Sequence, residues 1–188
     1  MPTRVVLGTV ILLTLASQPV SGASCQVAAN LIPNCGFDSN VNSWTGSQTP
    51  THEPNDGRTE LGSANVVSDA GPAVVLISDC VAVSPNTVYG FGGGHRLISG
   101  APNTCAFEAR IFNLAGCTGG IANSGGLAFT PTGSWGHANS TVNTLAGVSA
   151  RLIPQCFGDP GESFTLRFDD TFFGLDLVPV ELQRLEVD

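Results

Sequence analysis

The sequence predicts an all-β fold, a two-sheet antiparallel β-sandwich of jelly-roll type stapled by disulfides. Short β-prone runs bounded by Gly, Pro, Asn or Asp recur along the whole chain. Helix-period apolar stripes are nearly absent, and nothing between the runs is long or periodic enough for a crossover helix. Six cysteines, an even number, follow an N-terminus that reads as an export signal.

The elements follow in order. Arg4 supplies a single positive charge, Val5 to Ala16 run apolar, and the small residues SGAS follow. That layout predicts a signal peptide over residues 1–23, cleaved after Gly22 or Ala23, and so a secreted, extracellular or periplasmic location. The apolar run is too short to span a bilayer comfortably, and no later segment approaches spanning length. No membrane insertion is expected once the signal is removed. Residues 24–174 form the expected sandwich, and 175–188 read as a last strand or a C-terminal tail.

Within the sandwich, ANLIPNCGF opens the fold. GSANVV, AVVLISDCVAV, TVYGFGG, CAFEARIF, GGLAFT, VSARLI and SFTLRFDD supply about eight or nine short strands. Alternation is clearest in two of them. Phe107, Ala109 and Ile111 share one face while Glu108 and Arg110 take the other; Phe164, Leu166 and Phe168 turn inward with Thr165 and Arg167 outward. The polar stretch Gly46 to Arg58 and the Gly- and Asn-rich stretch Asn113 to Gly126 read as loops.

Cys25, Cys35, Cys80, Cys105, Cys117 and Cys156 read as three disulfides, and no CxxC or clustered His–Cys spacing points to zinc. Cys105 and Cys117 flank one strand and a tight NLAG turn, so a local bridge is expected there. Cys80 with Cys156 and Cys25 with Cys35 complete the expected set.

The charge is lopsided: seven arginines and no lysine stand against fifteen acids. Such a chain repels phosphate backbones, which excludes nucleic acid as a partner. The glycines at 92–94 lack both the strand–turn–helix setting and the terminal Lys–Ser/Thr of a phosphate loop.

Two segments carry a resemblance. NLIPNCGFD (Asn30 to Asp38) is followed by Trp44, and SFTLRFDDTFF (Ser163 to Phe173) stands near the end, with CVAV and SPNTVYGF between. Together they resemble the carbohydrate-binding-module-like, or galactose-binding-like, jelly-roll domains of exported bacterial proteins. The resemblance implies that first and last strands lie side by side. It implies a structural calcium ion there, held by Asp38 with Asp170 or Asp169, and strand parity favours Asp170 by placing it on the Phe168 side. It also implies a sugar partner, a polysaccharide or oligosaccharide bound by stacking on Trp135, Tyr89 or Trp44, with His95 and Arg96 alongside.

Catalysis finds no support in the motifs. The acids are scattered rather than paired for glycoside cleavage. His52, His95 and His137 are framed by neither GxSxG nor HExxH. The expected role is therefore a non-catalytic secreted domain that binds carbohydrate. Its alternative is a structural or protein-interaction domain of the cell exterior with no sugar site.

Overall fold

Strict alternation of apolar and polar residues makes the long central strands, because period two puts every second side chain on the same face. The fold is seen in a computed structural model, which describes Cys25 and residues 29–175 apart from positions 70 and 72. The signal-peptide reading and the segment after Leu175 lie outside the described residues.

The strands are β1 (Trp44–Gly46), β2 (Thr51–Glu53), β3 (Ser63–Val67), β4 (Ala73–Ser78), β5 (Val81–Ala82) and β6 (Val88–Ser99). Then follow β7 (Thr104–Leu114), β8 (Thr118–Phe129), β9 (Gly136–Asn143), β10 (Ser149–Phe157) and β11 (Thr165–Leu175). They form two antiparallel sheets. A six-stranded sheet runs β1-β4-β10-β7-β8 with β5 also paired to β10, and a five-stranded sheet runs β2-β3-β11-β6-β9. The two inner faces meet in one core. From β7 come Phe107, Ala109 and Ile111, from β10 Leu152, and from the opposite sheet Phe91, Leu166 and Phe168, all fully buried. Phe107 meets Phe168 edge to face across the layer, with centroids 6.0 Å apart.

The expected meeting of the two ends is present. Asn30 bridges Gly174. Its side-chain amide donates to the Thr171 carbonyl at 2.9 Å and its oxygen accepts the Phe173 N–H at 3.0 Å.

Of the two stretches read as loops, Gly46 to Arg58 holds the short strand β2 between loops, and Asn113 to Gly126 is ordered ladder. The stretch from Asn113 to Gly126 contains the end of β7, a tight turn and most of β8, registered from Leu114↔Thr118 to Cys105↔Phe129. Its glycines serve packing: a Cβ at Gly125 would lie 3.0 Å from both Phe91 and Val142. Likewise the polar run Gly136 to Asn143 is the edge strand β9 paired along β6. In both cases a neighbouring strand supplies the pairing that local propensity does not.

The disulfides correct the expected pairing. Cys25–Cys35 forms as expected, but the others are Cys80–Cys117 and Cys105–Cys156. Cys105 and Cys117 stand at opposite ends of β7, separated by roughly 30 Å of extended strand, far beyond the ~7 Å Cα limit of a bridge. Cys105 instead faces Cys156 directly across the β7–β10 ladder. Cys117, in the turn after β7, reaches back to Cys80 between β4 and β5.

Candidate functional site

Each sheet has one face turned away from the core, and the two outer faces differ. On the five-stranded sheet the chain covers itself. The loop from Pro54 to Gly62, between β2 and β3, folds over β11 and β6. Arg58 donates its backbone N–H to Asp169 Oδ2 at 2.5 Å and its guanidinium to Asp170 Oδ2 at 3.0 Å. Thr59 Oγ1 lies 2.9 Å from both Asp170 oxygens. Gly94 makes room for this: a Cβ there would sit 2.7 Å from Arg58 Cδ. A register shift in β11 between Asp169 and Phe172, with Asp170 at φ 45°, interrupts strand parity. Asp170 therefore does not follow Phe168 into the core, and both acids meet the same loop.

Burial, the Asp170 charge and the Asp38 charge push the Asp169 carboxyl up to about 7, against hydrogen bonds from two backbone N–H groups. Further along the face, Asp56 gathers three donors. Arg96 Nη1 reaches its Oδ1 at 2.9 Å, Trp135 Nε1 reaches the same oxygen at 3.1 Å, and Arg167 Nη1 bonds Oδ2. Burial raises the Asp56 carboxyl. The hydrogen bonds of Arg167 and Trp135 and the charges of Arg96 and Arg167 outweigh it and hold the group below its ordinary value.

These contacts place the residues singled out in the sequence. Trp135 and Arg96 are brought together, but as donors to Asp56. Trp44 is buried against Phe37 and donates to the Asn34 carbonyl at 3.2 Å. Tyr89 is buried, stacked on Phe173, with its hydroxyl accepting the Ser84 N–H. His95, 6 % exposed, lies between the sheets, stacked on Phe129 at 4.1 Å. Burial, with the charges of His137 and Arg58, pushes the His95 imidazole down to about 4. Stacking on a sugar needs an open ring face, which Trp44, Tyr89 and His95 do not have. The ligand-contact reading of these three gives way to core packing.

The calcium reading meets a similar fact. Among the described residues no group of three or more His, Cys, Asp or Glu side chains is arranged to hold a metal. The oxygens of Asp169 and Asp170 are taken by Arg58 and Thr59, and Asp38 is exposed. A guanidinium supplies the positive charge, so the donor set as arranged does not fit calcium. His52 Nε2 and His95 Nδ1 are buried without hydrogen-bond partners. An open hollow of about 310 Å³ lies at the edge of this sheet, lined by Gln48, Thr49, Thr51, Asn65, Val67 and Asp69. Thr51 and Asn65 are already bonded to each other in it.

The outer face of the six-stranded sheet is arranged differently. Glu108 and Arg110, opposite in parity to the buried Phe107, Ala109 and Ile111, point outward from β7. The register sets Arg151 across from Arg110, Ile153 across from Glu108 and Gln155 across from Ala106. Arg110 grips Glu108 through two parallel bonds, 2.9 Å from Nε and 2.8 Å from Nη2. Gln155 adds a longer contact of 3.3 Å. The result is a row of flat polar groups over Ile153. Ile153 is 3 % exposed although it faces outward and lies outside the core cluster. Phe112 and Phe157 stand at the two ends of this face, Phe157 42 % exposed.

Arg151 stands apart. The other described arginines, Arg58, Arg96, Arg110 and Arg167, all form ion pairs. Arg151 forms none among the described residues; its Nε is buried without a hydrogen-bond partner, as is that of Arg167.

No protein-family model matches the chain, and no curated protein matches it. Solved structures do. The chain is similar to a family 16 carbohydrate-binding module (TM-score 0.59, 17% identity, 77% of this chain and 99% of that one). It is similar to the xylan-binding CBM22-1 domain of Paenibacillus barcinonensis Xyn10C (0.54, 14%, 74% and 90%). It is also similar to the enzymatically active domain of bacteriophage CBA120 tailspike protein 4 (0.60, 15%, 78%), of which it spans only 21%. At these identities the likeness shows the fold: a two-sheet sandwich of the kind found in carbohydrate-binding modules and in parts of larger carbohydrate-active proteins.

Proposed function

We propose that this chain is a non-catalytic carbohydrate-binding module acting outside the cytoplasm, with the outer face of the six-stranded sheet as its binding face. One observation carries the reading: the outward row Glu108–Arg110–Gln155 with Arg151, ending at the exposed ring of Phe157, on a fold shared with binding modules. Flat amide, carboxylate and guanidinium groups fork onto vicinal hydroxyls, while the exposed ring of Phe157 at the end of the face accepts the C–H face of a pyranose. From the Phe112 row to Phe157 the face runs eight residues, roughly 26 Å, enough for several sugar units in line. The export reading is supported by the leader-like N-terminus and by three disulfides, which belong to oxidising compartments.

Affinity electrophoresis through gels containing soluble polysaccharides tests the proposal. At least one polymer should retard the protein, and Gln155→Ala should reduce that retardation at least fivefold in apparent affinity. The second reading, an interaction domain without a sugar site, is favoured by the burial of Trp44 and Tyr89. It takes over when no soluble or insoluble polysaccharide retains the protein.

A further inference from the structure

We infer that the binding face is selective for a saccharide carrying an isolated carboxylate, a uronic acid unit on an otherwise neutral chain, and that Arg151 is the group that reads it. This rests on the preceding reading of the face as a sugar site.

The argument starts from charge. In a chain of net charge −8 with no lysine, an arginine without an acid beside it is conspicuous, and the four other described arginines all have one. Arg151 stands directly across the ladder from Arg110, an arrangement that like charges disfavour. Glu108 neutralises Arg110 through a two-bond fork, which leaves Arg151 as a positive charge without an ion pair among the described residues. Asp79, exposed at the end of β4, forms no ion pair with it. The Arg151 Nε is buried and unmet, so an N–H has lost water without gaining an acceptor. A guanidinium held this way suits a planar carboxylate, which takes two parallel N–H bonds. Glu108 on Arg110 shows that geometry one residue pair away.

The same charge balance limits the ligand. The acidic remainder of the molecule repels a densely charged polymer. At physiological ionic strength that repulsion is screened beyond about 8 Å, so a single carboxylate reaching Arg151 meets mainly the local positive charge. One uronic unit among neutral sugars fits; a polyuronate or heavily sulfated chain does not.

The test is calorimetry on the full chain with matched pairs of oligosaccharides. Backbones of glucose, galactose, mannose and xylose units each carry one uronic acid, and each is paired with its carboxyl-reduced counterpart; a singly sulfated set runs beside them. The expected result is at least tenfold tighter binding of one acidic member than of its reduced partner. That difference should vanish in Arg151→Met, which keeps an aliphatic stem beside Ile153 and the fold, checked by an unchanged melting temperature. Binding of both partners with equal affinity, unaltered in Arg151→Met, overturns the inference and leaves the sugar site standing. Preference for the sulfated set over the carboxylated one overturns the carboxylate assignment. No binding to any member overturns inference and sugar site together.

Discussion

The two sheets of this sandwich use their polar residues in opposite ways. On the five-stranded sheet, Arg58, Arg96 and Arg167 are clamped by Asp170, Asp56 and Glu53, and a loop lies across the strands. The six-stranded sheet carries two disulfides, Cys80–Cys117 and Cys105–Cys156, and its exposed face keeps one arginine unpaired. Where covalent bridges hold the strands, the side chains above them are not needed as clamps. The comparison teaches that charged residues on one fold divide into those consumed by the structure and those left over for a partner.

The largest effect should come from breaking the closed face. Asp170 is fully buried, so removing the Arg58 guanidinium leaves its charge uncompensated. Breaking a buried pair costs about 3–5 kcal/mol, and Arg58→Met should lose about that much in urea unfolding. The same variant sharpens the metal question. Millimolar calcium should leave the wild-type melt where excess chelator puts it, because Arg58 occupies the carboxylates, and should raise the melting temperature of Arg58→Met. A calcium-dependent rise in the wild type would mean that Arg58 yields its place to the ion.

A smaller effect separates two buried groups by pH. Asp169, raised to about 7 in the fold from an ordinary 3.8, binds its proton more tightly folded than unfolded. It therefore favours the folded state at low pH, and that contribution falls away as pH rises from about 4 to about 7. His95 is lowered to about 4 from 6.5, so the unfolded chain takes up its proton first. Its contribution is present above about 6.5 and is lost as pH falls toward 4. Between those values the two slopes oppose. Each alone amounts to roughly 1.4 kcal/mol per pH unit where one state is protonated and the other is not. From these two groups the wild type should show little net slope over that window. His137, also lowered by burial and by Arg58, adds in the direction of His95. Asp169→Asn should unmask a rise in stability with pH, and His95→Phe a fall. Urea melts at pH 4.5, 5.5 and 6.5 decide it; parallel curves for both variants would mean that neither group titrates as placed.

The contrast between the sheets was partly legible in the chain itself. Alternation in CAFEARIF puts Glu108 and Arg110 outward by period two alone, and the structure places them so. The partner across the ladder was not legible, because register between β7 and β10 is set by shared burial of two strands about 40 residues apart in the chain. Nothing local to Arg151 announces that it faces Arg110. Trp135 and Arg96 drew attention as a ring and a cation in polar surroundings, yet what decides their role is Asp56 in a distant loop. Trp44 and Tyr89 combine an apolar body with a polar tip, which suits packing as well as stacking, and with His95 each is absorbed into packing. The disulfides failed for the same reason as the register: Cys105 is close to Cys117 in sequence but faces Cys156 across the sheet.

The smallest expected effect is the most discriminating. If Arg151 were a structural residue like Arg58 or Arg167, its removal would cost stability through an orphaned partner. It has no such partner. The changes on replacing it with Met are loss of an unmet buried N–H, relief of like charge against Arg110, and retention of an aliphatic stem beside Ile153. The first two favour the fold and the third leaves the packing in place. The urea midpoint of Arg151→Met should therefore stay within about 0.5 kcal/mol of wild type or rise slightly, as for substitutions outside a structural network. Arg110→Met, which leaves Glu108 with only the longer contact from Gln155, should cost about 1–3 kcal/mol by removing that carboxylate's two charged donors. A loss at Arg151 as large as at Arg110 would place it among the clamps, and the six-stranded sheet would then have no arginine left over for a partner.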